Sequence, residues 1–490
     1  MGVFIMALKN SFSIKNMKVG GNAAFLKFCV VILTVSMFMS LIPLTGVVYG
    51  ADSVPATARH IKTAEQLAAI GGVQSEGEYY VLDNDITLVA EWIPIEGFEG
   101  TFDGQGHSIN NLYVLASSNR QYAGLFGLTY DYKDVTIKNV GVNIGSKGVT
   151  AIGSDSEYAR VAHAGGLIGY CGAVVVSNCY VTGDVTATGY SFVYAGGLIG
   201  ECGRVSVANC YVTGDVTANA DGLAYAGGLI GHVWGNSVSV EKSYVTGDVT
   251  ATGSHSADAG GLIGRSGRVF VEKSYVTGDV TANSATLLAY AGGLIGECGR
   301  VSVSNCYVTG DVTANSDRHE MGYAGGLIGY STFDVSVEKS YVTGDVTADA
   351  FYVCYRVYAG SLVGDSKDGT VEKNCYRLST QKITGGTIST DGKSLTPDEM
   401  KNQQSFSGWD FKSIWAIKSN VNNGYPHFKN LLSTSHNLTF DGSSSGNSSS
   451  DRSSPFSNPL ILAGIAIIVI VAVVIVVVFI KKQNEVKRYE

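Results

Sequence analysis

AGGLIGECGRVSVANCYVTGDVTAN, from Ala195 to Asn219, returns with small changes along the middle of the chain. Six copies keep Ala-Gly-Gly-Leu-Ile-Gly, with the leucine at Leu167, Leu198, Leu229, Leu262, Leu294 and Leu327, and a seventh, AGSLVG, places it at Leu362. The intervals are 31, 31, 33, 32, 33 and 35 residues. Each copy then reaches a tyrosine, at Tyr180, Tyr211, Tyr244, Tyr275, Tyr307, Tyr341 and Tyr376, and Val-Thr-Gly-Asp-Val follows six of them. A fixed period of this size marks a stacked architecture in which each unit buries its apolar face only against its neighbours.

Within a copy the apolar pattern has period two. Arg204, Val205, Ser206 and Val207 alternate, and Val212, Gly214 and Val216 share one face of the next run, which is strand patterning. Glycine-bearing turns at Gly200 to Gly203 and at Gly214-Asp215 separate the runs, so one repeat holds about three short strands joined by corners. Copies stacked as parallel coils lay like residues above one another at about 4.8 Å. Proline, which cannot donate to such a ladder, is absent between Pro94 and Pro397.

The Gly-Gly-Leu-aliphatic-Gly core, the Asn-Cys/Ser-Tyr run and the Gly-x-Val strand resemble the GLUG-motif repeats of microbial cell-surface, adhesin-like proteins. The resemblance covers roughly Ala123 to Tyr376. It implies an all-β fold, a right-handed parallel β-helix (β-solenoid) of GLUG-type repeats with short helical caps, on an extracellular protein that is often an adhesin or a domain joined to a peptidase. It implies no particular ligand.

Outside the repeats the chain divides by composition. Residues 1–50 hold four lysines and no acid around an apolar run from Phe28 to Leu44, the pattern of a signal peptide. Residues 51–122 provide an N-terminal cap and first coils, opened by the capping box Thr63-Ala64-Glu65-Gln66 and a helix running to Ile70. The GLUG-type β-helix occupies 123–379. A C-terminal cap follows over 380–430, with a second capping box, Thr396-Pro397-Asp398-Glu399, and a short helix to about Gln404 that closes the other end of the stack. Residues 431–458 are rich in Ser, Gly and Asn and read as a flexible stalk. Residues 459–480 are almost purely aliphatic and long enough for a transmembrane helix. The basic tail 481–490 then sets that end in the cytoplasm. These readings place a single-pass membrane protein at the cell surface, its N-terminal domain outside. Although 490 residues would ordinarily divide into several domains, a solenoid grows along one axis and counts as one.

The net charge of −8 becomes more negative once the basic leader and tail are set aside, so nucleic acid is not an expected partner. Three repeats carry a C-x7-C pair, Cys171/Cys179, Cys202/Cys210 and Cys298/Cys306. In an oxidising exterior these are candidate disulfides within each repeat, with Cys354/Cys375 a further pair. The alternative is descent from two templates, Asn-Cys-Tyr and Lys-Ser-Tyr. Asp184, Asp215, Asp248, Asp279, Asp311 and Asp345 are expected to stack at a turn, each capping its own turn or sharing a cation with its neighbours. Asn437 and Asn447 begin N-glycosylation sequons in the stalk. Length variation falls in loops bearing Tyr190, Phe192, Trp234, Phe351 and Tyr352, the weak candidates for a binding face.

No catalytic constellation stands out. His163, His232 and His255 are expected as scattered loop residues, and His319-Glu320 lacks the second histidine of a zinc peptidase motif. No cofactor or metal is expected. The leading reading is a non-enzymatic adhesion, envelope or ligand-binding protein that meets a host, neighbour-cell or envelope glycan or protein. The alternatives are a membrane-tethered polysaccharide lyase or hydrolase, and a glycan-binding module without turnover.

Overall fold

The structure, a computed structural model, describes residues 54–117, 121–129, 134–153, 161–235, 237–316, 321–350 and 356–429. The expected signal peptide, stalk, transmembrane helix and cytoplasmic tail lie outside the described residues, as do His319, Glu320, Phe351, Tyr352, Cys354, Asn437 and Asn447. Among the described residues no helix is long and apolar enough to cross a membrane.

The repeats wind into a parallel β-solenoid of about eight turns. In one turn the chain passes through Ile199–Ala208, then Tyr211–Val212 and Val216–Ala220, then Leu223–Gly227. Each strand pairs in parallel with its counterpart a turn later, Ile199 with Ile230, Tyr211 with Tyr244, Val216 with Val249 and Ala224 with Ala257. These strands build three faces. The second is bent at Gly214-Asp215, which makes four strands per turn rather than the expected three.

Stacking explains the composition. The seven repeat leucines form a fully buried column, and buried apolar residues from Ile61 to Cys375 make one continuous core. At the corner between third and first faces the backbone is too crowded for any side chain. A Cβ on Gly196 would lie 1.9 Å from the Ile199 carbonyl oxygen, and one on Gly197 would lie 2.3 Å from that of Gly228 and 2.5 Å from Val212 Cγ1. After the first face the chain turns through a left-handed residue in every repeat, Asn178, Asn209, Lys242, Lys273, Asn305, Lys339 and Asn374, with φ between 47° and 54°. Among residues that carry a side chain, asparagine tolerates that conformation best.

The residue that follows this turn explains why cysteine and serine alternate there. Cys210 N–H donates to Ser243 Oγ at 3.1 Å, Ser243 N–H to Ser274 Oγ at 3.1 Å, and Cys306 N–H to Ser340 Oγ at 3.0 Å. Each side chain in turn donates to the carbonyl two residues earlier, Cys210 to Ala208 at 3.2 Å and Ser243 to Glu241 at 2.9 Å. A thiol or a hydroxyl serves both roles.

The disulfides expected within repeats are not formed. The seven described cysteines are buried, and no bridge joins Cys171 to Cys179, Cys202 to Cys210 or Cys298 to Cys306. Cys202 lies inside the strand Ile199–Ala208 and Cys210 lies beyond its end, past the turn at Asn209, so the six extended steps from Cys202 to Ala208, at roughly 3.3 Å each, hold the two α-carbons far outside the separation of about 7 Å that a bridge needs. The aspartates do form a column at a turn, but each carboxylate caps the next turn of the solenoid instead of its own. Asp184 Oδ1 accepts from the Asp215 N–H at 3.0 Å, and the relay continues through Asp248, Asp279, Asp311 and Asp345 at 2.7–2.9 Å.

Both capping boxes are present. Thr63 and Gln66 open the helix Ala64–Ala68, which stops short of Ile70 but buries Leu67 and Ile70 with Ile61 and Leu82 of the first turns. Thr396 and Glu399 open Pro397–Met400. The C-terminal segment does more than close the last coil: it folds back along the second face over the stacked tyrosines. Phe428 lies 5.5 Å from the Tyr307 ring and Trp415 6.3 Å from that of Tyr341, whose hydroxyl donates to the Pro426 carbonyl at 2.6 Å.

Candidate functional site

Each Ala-Gly-Gly-Leu-Ile-Gly corner brings the residue just before it against the residue just after it, seven positions on. Register places His163, Tyr194, Tyr225, Asp258, Tyr290, Tyr323 and Tyr358 in one column at the end of the third face. Tyr170, Glu201, His232, Arg265, Glu297, Tyr330 and Asp365 form the facing column at the start of the first. The two columns close a notch that runs along the solenoid.

Aromatic rings fill most of the notch. His163 stacks on Tyr194 at 4.9 Å, and Tyr194 and Tyr225 each stack on His232 at 5.3 and 5.1 Å. Among these rings sit charges that do not repeat. Glu201 Oε1 lies 2.9 Å from His232 Nδ1, and its Oε2 lies 3.2 Å from His163 Nδ1. Burial alone would push the Glu201 carboxyl up, but the two imidazoles outweigh it and hold the group below its ordinary value. Farther along, Arg265 Nη1 reaches Glu297 Oε2 at 2.9 Å and Asp258 Oδ2 at 3.4 Å. Asp258 has no exposed surface. Burial, reinforced by the nearby Glu297, pushes its carboxyl well up against the pull of Arg265, and burial raises Glu297 as well.

His163 and His232, expected as scattered loop residues, stand instead on one carboxylate, two turns apart. A signal was present. The hexapeptide is nearly invariant, yet the residues flanking it change from His/Tyr to Tyr/Glu, Tyr/His, Asp/Arg and Tyr/Glu in successive repeats. Groups with displaced proton affinities gathered in one place have the chemistry of a functional site. Among the described residues no group of His, Cys, Asp or Glu is arranged to hold a metal ion.

A second surface lies at the opposite end of the third face. Ile152, Thr188, Asn219, Thr252, Asn283, Asn315 and Asp349 stand in one register column. With Gly189, Tyr190, Asp221, Ser254 and Ser284 they line an open groove of about 840 Å³. Asn315 Nδ2 donates to Asn283 Oδ1 at 2.9 Å, so neighbouring turns are linked by side-chain amides. Six steps of about 4.8 Å give the column a length of about 29 Å.

The expected binding-loop residues do not form one patch. Tyr190 is a wall of the groove and, like the nearby Phe192, is exposed. Trp234 is also exposed but lies on the first face, its ring 2.6 Å from the position a Cβ would take on Gly203. His255 is an exposed loop residue with Nδ1 3.3 Å from the Asp221 carbonyl oxygen.

No protein-family model and no curated protein matches the chain. Among solved structures, one titled as a "putative immunoglobulin A1 protease from Bacteroides ovatus" aligns at 19% identity over 76% of this chain and 92% of its own, with a TM-score of 0.37. A likeness so loose carries nothing about chemistry.

Proposed function

We propose that the chain is a GLUG-type, right-handed β-helix held at a cell surface by residues 459–480, and that it binds an extended, hydroxyl-rich glycan along the groove without cleaving it. The observation that carries this reading is the column from Thr188 to Asp349, which repeats amide, hydroxyl and carboxylate groups at one coil per step, with Tyr190 beside it for stacking on a sugar face. A polymer of pyranose rings has a repeat close to the solenoid's own, so successive sugars meet equivalent groups in successive turns. Hydrogen-bonding groups at fixed spacing give orientation, and summation over turns gives affinity.

The test is binding of the full chain, displayed on cells, to a panel of extended glycans. Replacing Asn219, Asn283 and Asn315 together by alanine is expected to reduce binding at least about tenfold, the loss of roughly 1.4 kcal/mol. Trp234→Ala is expected to leave it unchanged. Full binding by the triple variant would remove the groove from consideration.

A second reading, a polysaccharide-active enzyme, is favoured by Asp258, Arg265 and Glu297 standing in adjacent turns. Against it, Asp258 is fully enclosed and the groove lies at the other end of the third face from the notch. Shortening of a bound glycan, abolished by Glu297→Gln, would establish the enzyme.

A further inference from the structure

Cysteine meets cysteine between neighbouring turns twice, inside the paired strands Ile168–Ser177 and Ile199–Ala208 and again just past the turn that follows them. Cys171 stands in register with Cys202. Cys179 and Cys210 share the rung between Ser177/Ala208 and Tyr180/Tyr211, and the Cys179 N–H lies 3.4 Å from Cys210 Sγ. Parallel strands in register hold α-carbons about 4.8 Å apart, inside the window of about 4.4–6.8 Å that a disulfide accepts. The other cysteines have serine for neighbours. Cys298 is in register with Ser266 and Ser331, and Cys306 and Cys375 are each next to Ser340.

We propose that Cys171–Cys202 and Cys179–Cys210 form two disulfides that staple one turn to the next, while Cys298, Cys306 and Cys375 stay as thiols. The reaction is thiol–disulfide exchange with a small disulfide such as oxidised glutathione. A thiolate of one cysteine attacks the oxidant and releases one thiol, and the partner thiolate then displaces the second, so two S–H bonds are exchanged for one S–S bond and the oxidant leaves as two thiols. Burial, with the neighbouring Cys210, pushes the Cys179 thiol well up in the finished fold. Exchange therefore belongs to the folding stage, before the second turn encloses the sulfurs. Little hydrogen bonding is lost at the second of these bridges. Cys179 and Cys210 donate to the carbonyls of Ser177 and Ala208, and both carbonyls also accept backbone donors, from Asn139 and Asn178, at 3.0 Å.

The experiment takes the full chain in detergent, refolds it with reduced and oxidised glutathione, alkylates the remaining thiols and digests it with chymotrypsin. Cleavage after Tyr180 and Tyr211 puts Cys171 with Cys179 on one fragment and Cys202 with Cys210 on another. The expected result is these two fragments joined by two bridges, with Cys298, Cys306 and Cys375 alkylated. Cys171→Ser is expected to leave one bridge, and Cys171→Ser with Cys179→Ser to separate the fragments. The wild-type unfolding midpoint should fall on adding reductant, and that of the double variant should not. Separate fragments from the wild-type chain, whether alkylated at all four positions or bridged internally, would overturn the proposal. Mapping the wild-type protein decides the matter even if a variant folds poorly, and it is independent of any glycan.

Discussion

The leucine column and the notch columns come from the same few residues, yet they behave oppositely. Leucine recurs because every turn presents the same enclosed space, which only stacking fills. Four residues before it and three after it the side chains point outward, into a notch whose walls are other side chains, and there chemistry changes at every turn. Inside the coil the turns repeat; along this one seam outside it they differ.

That contrast can be broken by substitution. The largest expected effect is at the corner itself: Gly197→Ala places a methyl group 2.3 Å from the Gly228 carbonyl and should cost about 3 kcal/mol or more in chemical denaturation. Leu229→Ala, in the column beside it, should cost about 2–5 kcal/mol. A much smaller loss at either would mean that the turns do not depend on their shared axis.

The notch should instead respond to pH. Arg265→Met leaves Asp258 and Glu297 facing each other in a buried site, an arrangement costing up to about 3 kcal/mol. Raised carboxyl affinities in the folded state mean that stability is retained in acid and lost as pH rises through the unfolded values, so the deficit of the variant should grow from acid to neutral pH. Glu201 has the opposite sign. Its lowered affinity contributes stability above its unfolded value and loses it as pH falls through the folded one, so Glu201→Gln should cost about 1 kcal/mol at neutral pH and flatten the acid limb of the stability curve.

The smallest effect is at Glu372, near the end of the coil. Burial, with nearby Asp391, raises that carboxyl from 4.5 to about 7, and the Gly392 N–H at 2.9 Å offsets only part of this. Glu372 should therefore contribute a loss of stability between these two pH values, and Glu372→Gln should make the slope there shallower, by no more than about 1 kcal/mol after solvent screening. An identical slope in wild type and variant would show that solvent already relieves the group.

Much of the solenoid was legible because period, glycine placement and missing proline all describe the backbone, and the backbone is what repeats. The capping boxes were legible for the same local reason. The notch was not, because His163 and Glu201 lie 38 residues apart and meet only through a register one turn long. The cysteine pairing within a repeat was misplaced for the same reason: Cys171 lies inside the strand Ile168–Ser177 and Cys179 past the turn at Asn178, while Cys171 and Cys202 are in register.

The folded-back C-terminal segment sets a measure for how such a molecule can change length. Its rings touch tyrosines from Tyr275 to Tyr376, so it is cut to fit the last four rungs and no more. Whole windings can be added or removed upstream of Tyr275 without its noticing, whereas an extra winding between Tyr275 and Tyr376 would leave the flap too short for its bed. Growth of the rod is thereby confined to one stretch, with the clasp kept as it is.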